Sequence, residues 1–400
     1  MRRLKEIFIA AVTVAAVMAA CVMPVLADNP YTAVNGGTGF FQKYFVVDEN
    51  VEFPSVEFTY TIVPGEAVPK TPGKMEVYAG TTGASVGTAD FTAAPATSYT
   101  TVQTGDSSVT LAAGQKYAKT KVNLDFTACS YTEPGVYRYK LTEVQCANEA
   151  VSCDTTDKYV DVYIMDNNGV LEYQGYTIHS TTEAPEVNAT AGTAGTLADK
   201  IDGIQNEYET TDLYVGKVVT GNQGSRDKYF KFTVEVTGLE GITKLNANIA
   251  KADATSGTNL ATAAANRGKT NPTEIAVDGT GKATGTFYLQ NGQYVIIYGL
   301  TKDAVYTVTE DKEDYIQTQA NDQSFVLDSL TFEDKTSDTV VIADGPYYTG
   351  FTNTRDGVIP TGILVKVAPI AVIGVIAVAG IVFLVVRNTK RRLEDTEAEE

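Results

Sequence analysis

Six polar side chains in this 400-residue chain stand where the surrounding pattern asks for hydrophobic ones. Side chains on an extended strand alternate between two faces, so the neighbours at i−2 and i+2 reveal which face a residue shares. In GFFQKYFVV, Lys43 is in phase with Phe41, Phe45 and Val47; in LYVGKVVTG, Lys217 is in phase with Leu213, Val215 and Val219. Glu143 closes PGVYRYKLTE in phase with Tyr137, Tyr139 and Leu141, and Glu310 closes DAVYTVTE in phase with Tyr306 and Val308. Asn206 follows Ile204, and Asn353 follows Phe351, at the same two-residue spacing. Each half of the chain therefore carries a Lys strand, a Tyr-rich strand ending in Thr-Glu, and a closing apolar-x-Asn strand, in that order.

Burying an unpaired Lys or Glu is costly, and the usual escape is neutralisation, with Lys shifted down and Glu shifted up. A neutral amine beside a carboxamide is a nucleophile facing an acyl carbon. A protonated Glu can hydrogen-bond the amide oxygen and stabilise the charge that develops on it as nitrogen attacks. Loss of ammonia then leaves a Lys–Asn isopeptide bond and removes the buried charge. Each Glu also admits two plainer readings: a buried salt bridge to its Lys without covalent chemistry, or an inward charge that blunts an edge strand. Neither accounts for the Asn.

Such residues need strands to hold them, and the interior supplies little else. Runs such as VEFTYTIV, YVDVYIM, FKFTVEV and GTFYLQNGQYVIIYGL alternate with period two, and no long amphipathic helix interrupts them. The pattern predicts an all-β fold of two tandem Ig-like β-sandwich domains, spanning residues 28–208 and 209–357. Ala, Thr and Gly-rich stretches near 182–198 and 252–270 read as long loops. The large insert between Lys217 and Glu310 offers room for a ligand-presenting surface.

The two ends flank this interior with export signals. Residues 1–27 pair a basic head (Arg2, Arg3, Lys5) with an apolar run and a small-residue exit at Val25–Ala27, as in a secretory signal peptide. An uncleaved anchor, or a lipoprotein signal acylated at Cys21, is the alternative; Met18–Cys21 is a poor match to the latter. Val367–Val386 is an apolar run of 20 residues without a charge, long enough for a transmembrane helix. Arg387, Lys390, Arg391 and Arg392 follow it and hold the C-terminus inside. Just ahead stands Val358-Ile359-Pro360-Thr361-Gly362, which resembles a sortase sorting signal of the Val-Pro-Thr-Gly type. That resemblance makes residues 358–400 a sorting signal, transmembrane helix and cytoplasmic tail.

Composition excludes several function classes. Without residues 1–27 and 362–400 the chain keeps 23 basic residues against 43 acidic ones, a net charge of −20, which disfavours nucleic acid and anionic membranes. His179 is the single histidine; it rules out two-His metal motifs and reads as a surface-strand residue in YQGYTIHS. No metal, cofactor or enzyme constellation is expected. Cys146 and Cys153 flank a short loop and can pair outside the cell, leaving Cys129 unpaired; equally, all three can be free thiols.

The motifs together resemble the streptococcal-type pilin isopeptide linkage domain, present twice in major pilins of group A streptococci. LYVGKVVTG, PGVYRYKLTE, GFTNTR and the Pro-Thr-Gly signal stand in the family's order, and the likeness covers nearly all of residues 35–362. It implies a Cna B-type sandwich in each half, links Lys43 to Asn206 with Glu143 as catalyst, and links Lys217 to Asn353 with Glu310. It further implies sortase cleavage between Thr361 and Gly362 and transfer of Thr361 to a lysine of the next subunit. Lys200, in LADKIDGIQNEY, is the candidate acceptor, with Lys158 and Lys140 as weaker ones. The function implied is a pilus backbone subunit, a fimbrial cell-surface protein anchored to Gram-positive peptidoglycan. Its partners would be copies of itself, a pilus-type sortase, minor pilins and host surface ligands. A wall-anchored adhesin or minor pilin built on the same domains is the alternative.

Overall fold

The computed structural model describes residues 31–187, 199–251, 269–322, 339–341 and 346–358, with Val382, Phe383 and Arg387. The expected signal peptide, Ile359, Pro360, Thr361, Gly362 and most of the C-terminal apolar run lie outside the described residues. No helix among the described residues is long and apolar enough to cross a membrane. Among the described residues between 31 and 358 the regular secondary structure is strand, as the period-two pattern predicts.

The strands between Val34 and Tyr208 pair among themselves, and those between Thr211 and Thr354 do likewise. In the first unit, Thr38–Asp48 lies between Gln115–Asp125 (antiparallel) and Gly203–Tyr208 (parallel), with Val151–Ser152 at the outer edge of the latter. The facing sheet runs Val170–His179, Lys158–Asn167, Gly135–Glu143, Tyr60–Pro64. Phe41, Phe45, Val122, Leu124, Tyr139, Leu141, Val160 and Val162, all buried, fill the space between the sheets.

The second unit repeats the plan. Thr211–Thr220 pairs antiparallel with Gln293–Leu300 and parallel with Tyr347–Thr354 in a six-stranded sheet. Phe230–Thr237 joins Ala283–Leu289 and Val305–Glu310 in a four-stranded one. The insert between Lys217 and Glu310 is thus largely the body of the sandwich rather than an appended surface. Its strands Lys244–Lys251, Ala283–Leu289 and Gln293–Leu300 are ordinary members of the two sheets.

In both units the Lys strand and the Asn strand are parallel neighbours in one sheet, while the Glu strand belongs to the opposite sheet. Two residues, Glu209 and Thr210, separate the last strand of one unit from the first of the next. Residues 50–55 of the first unit dock on 241–246 of the second. The Glu52 carboxylate accepts from the Thr243 and Lys244 backbone amides at 2.9 and 3.0 Å, and the Ser55 amide donates to the Gly241 carbonyl. Val51, buried, packs on Gly299, whose φ of +87° suits glycine and whose missing Cβ would lie 3.1 Å from Val51 Cγ1.

Candidate functional site

The sheet registers place the three residues of each set together. Lys43 stands opposite Ile204 in the parallel pair, so Asn206, two residues on, projects to the same inner face. Lys217 stands opposite Phe351, so Asn353 occupies the equivalent position in the second unit. Glu143 and Glu310 reach the same points from the facing sheets. All six side chains are buried, with Lys43 and Lys217 fully so.

In the first unit Lys43 Nζ lies 2.5 Å from Glu143 Oε2, and Asn206 Nδ2 donates to Glu143 Oε1. In the second, Lys217 Nζ lies 3.0 Å from Glu310 Oε1 and 3.1 Å from Oε2, and Asn353 Nδ2 donates to Oε1 at 2.8 Å. In both, the carboxyl group meets the amide nitrogen, not the amide oxygen that the sequence reading put against it. That geometry suits a Glu that takes a proton from the amine and delivers one to the departing nitrogen.

Burial sets the protonation chemistry. Desolvation lowers both lysines to about 8, the attraction of the neighbouring Glu only partly opposing it. Desolvation likewise raises Glu143 and Glu310 above the ordinary carboxylate range, with the paired lysine pulling the other way. Each pair is thereby brought towards a neutral amine beside a neutral acid, the form in which nitrogen is nucleophilic.

The apolar surroundings that cause these shifts were not singled out in the sequence. Lys43 Nζ sits 4.4 Å from the centroid of the Phe58 ring, and Lys217 Nζ sits 4.6 Å from that of Phe230. Tyr60 faces Glu143 across the paired strands, and its hydroxyl is raised by burial first and by the Glu143 charge second. Aromatics in phase in VEFTYTIV and FKFTVEV carried the signal, read there only as strand pattern. Gln317, which donates to Glu310 Oε2 at 2.7 Å, has no such signature.

Cys146 and Cys153 form a disulfide beside the first triad, with Cys153 Sγ 3.3 Å from Asn206 Nδ2; Cys129 is free and buried. Among the described residues one group of donors is close enough to hold a metal ion, Glu143 with Cys146 and Cys153. Its sulfurs are joined to each other, and its carboxylate is engaged by Lys43 and Asn206.

His179 departs from the expected surface position. It is fully buried, its Nε2 3.0 Å from Asp161 Oδ2, and Asp161 also accepts two bonds of 2.8 Å from Arg138. Burial opposes the Asp161 charge, but Arg138 and His179 outweigh it and hold the carboxyl below its usual range. Arg138 donates onward to the Thr182 and Glu183 carbonyls. This cluster pins the segment after Val170–His179 to the sheet and offers no nucleophile.

Lys200 is exposed, three residues before the Asn206 strand, and bridges to His179 through the backbone. Lys158, by contrast, is nearly buried and paired with Asp154 at 2.7 Å, while Lys140 pairs with Asp157 at 3.4 Å.

A curated pilin of Streptococcus pyogenes serotype M1 is 26% identical over 360 residues, covering 88% of this chain and 92% of that protein. The chain is thus similar to a streptococcal pilin along most of its length. Residues 211–355, the second unit, match a family described as a domain of unknown function, DUF7601. Among solved structures, the major pilin from Streptococcus pyogenes aligns at 19% identity with a TM-score of 0.49, over 81% of this chain and 100% of that one. The T-13 major pilin of the same species aligns at 21% identity and 0.45, over 81% and 99%.

Proposed function

We propose that this chain is a structural subunit of a cell-surface pilus, self-crosslinked by two Lys–Asn isopeptide bonds and joined covalently to further copies of itself. The observation that carries the reading is the repeated triad: one Lys, one Glu and one Asn, buried together at the same register in each unit. The near end-to-end likeness to a curated pilin supports the same conclusion from sequence.

The bond-forming step is the same in both units. The neutral Lys nitrogen adds to Cγ of the Asn, the protonated Glu gives its proton to Nδ2 and takes the one shed by the attacking nitrogen, and Nδ2 leaves as ammonia. The C–N bond to Nδ2 breaks as the bond to Nζ forms, so nothing is oxidised or reduced. The reaction happens once per site and turns over no separate substrate. Residues 28–208 and 209–357 are then two independently closed domains.

Polymerisation is assigned to a pilus-type sortase acting on Ile359–Gly362, with Thr361 passed to Lys200 of the next copy. Exposure of Lys200 supports it as acceptor. So does the groove of about 470 Å³ beside it, lined by Phe40, Gln42, Tyr176, Ile178 and Asp202, which has room for an extended peptide. The last subunit would be transferred to peptidoglycan, with minor pilins and host ligands as further partners.

Denaturing electrophoresis of cell-wall extracts tests the assembly. A ladder of covalent multimers that disappears in Lys200→Ala is expected. A single wall-linked band from the unsubstituted chain would overturn the backbone reading in favour of a wall-anchored adhesin.

A further inference from the structure

The two triads differ in what meets the amide oxygen. In the first, the backbone amide of Asp154 donates to Asn206 Oδ1 at 3.1 Å. A backbone N–H can only donate, so this bond assigns the amide oxygen to the Asp154 side and the nitrogen to the Glu143 side. In the second, Asn353 Oδ1 is buried with no hydrogen-bond partner among the described residues. When the lysine nitrogen adds to Cγ, negative charge develops on Oδ1, and a donor already aimed there stabilises it.

Asp154 owes its position to the disulfide loop. Cys146–Cys153 closes the loop immediately before it. Within the loop Val151 and Ser152 pair with Tyr208 and Glu207 on the Asn206 strand, and the Glu209 amide donates to the Ala150 carbonyl at 2.8 Å. On the other side the Asp154 carboxylate accepts from the Thr156 amide at 3.1 Å and pairs with Lys158 at 2.7 Å. The loop is thus clamped to the strand that carries the acyl carbon.

We infer that the Asp154 backbone amide is the oxyanion donor of the first triad and that the Cys146–Cys153 disulfide positions it, so that the Lys43–Asn206 link forms efficiently only after the cysteines are oxidised. This rests on the isopeptide reading above. Oxidation itself proceeds by thiol–disulfide exchange with an external disulfide such as oxidised glutathione, which is reduced as the two thiols are joined. The second site, with no cysteine in its unit and no donor to Asn353 Oδ1 among the described residues, is independent of redox state.

The test is refolding of denatured, never-linked ectodomain, residues 28–361, in reduced or oxidised glutathione, with both links followed by intact mass and peptide mapping. The first link should form about 100-fold more slowly in the reduced arm and in Cys146→Ser/Cys153→Ser, the effect of losing one oxyanion donor. The second link should keep its rate and serves as internal control. Asp154→Pro removes the N–H with the disulfide intact and should slow the first link equally. The Thr155 amide donates to the Cys153 carbonyl in a three-residue turn centred on Asp154, whose φ is not positive, so proline's fixed φ fits. Protease resistance equal to that of unlinked Glu143→Ala marks a folded first unit; if the proline variant lacks it, the redox arms decide. A first link at the parent rate in reduced glutathione overturns the inference. A parent chain that forms no link in either arm would instead remove the isopeptide reading beneath it.

Discussion

Lys217 and Asn353 meet at one oxygen: Glu310 Oε1 lies 3.0 Å from the amine and 2.8 Å from the amide nitrogen. The amine and the amide stand on adjacent parallel strands, and the carboxyl group between them comes from the facing sheet. No rearrangement of the fold is needed to bring the amine to the amide. The first consequence concerns mass. The ectodomain should lack two ammonias relative to its sequence, Glu143→Ala or Glu310→Ala should lack one, and the double variant none. A single variant that loses both links, or neither, would contradict independent sites; intact mass spectrometry decides.

The pH dependence follows from proton count. The reactive pair, neutral Lys with protonated Glu, holds the same single shared proton as the ion pair, so its population is level between the two titrations. Below the raised Glu range a second proton binds and the amine becomes ammonium; above about 8 the shared proton leaves and the acid is lost. Link formation during refolding should therefore give a plateau that falls on both sides, with the alkaline limb near 8. A rate that climbs steadily through ~pH 10, where free lysine deprotonates, would mean that the acid form of Glu plays no part.

Each proposed link would close a loop of well over a hundred residues, which by the chain-entropy argument restricts the unfolded state by about 5 kcal/mol. Glu143→Ala should accordingly melt roughly 10 to 20 °C below the parent by calorimetry. Equal melting temperatures would mean that the parent is not linked in the first unit.

Much of this was legible in the sequence because a strand with one buried face writes its orientation in alternate residues. The phase of Lys43 with Phe41 and Phe45, and of Glu143 with Tyr139 and Leu141, was enough to turn all six polar residues inward. What alternation cannot carry is which strand lies beside which. His179 reads as a surface residue because YQGYTIHS is polar on both faces, and its buried partner Asp161 belongs to the neighbouring strand. Arg138, opposite in phase to Tyr137 and Tyr139, is buried by residues from other segments, among them Tyr159, Thr182 and Glu183. The Asp154 amide left no trace in the sequence, since any residue but proline supplies one.

The Arg138–Asp161–His179 cluster makes a separate stability prediction. Asp161→Ala would leave a fully buried guanidinium without its carboxylate, a loss on the order of 3–5 kcal/mol, visible as a shift in the chemical denaturation midpoint. His179→Phe keeps the Arg138–Asp161 pair and its volume, and should cost less than half as much. Equal losses would show that His179, not Arg138, is the partner that matters.

The last consequence is mechanical. Tension applied at the ends of the linked chain enters at the first strand, crosses from Lys43 to Asn206, passes Glu209 and Thr210, and crosses again from Lys217 to Asn353. The residues inside each loop lie off that path, as does the strand ladder between them. Pulled singly, the parent should extend only by the slack of its ends, with no unfolding step at forces that rupture ordinary sandwiches. In the Glu143→Ala/Glu310→Ala double variant both loops return to the load-bearing path. Two steps of about 50 nm each should then appear, from ~3.5 Å per residue released. Each single variant should show one step, and the residue substituted selects which unit yields. Steps of that length in the parent would mean that force travels through the hydrogen-bonded strands, and that the buried lysines are only ion pairs.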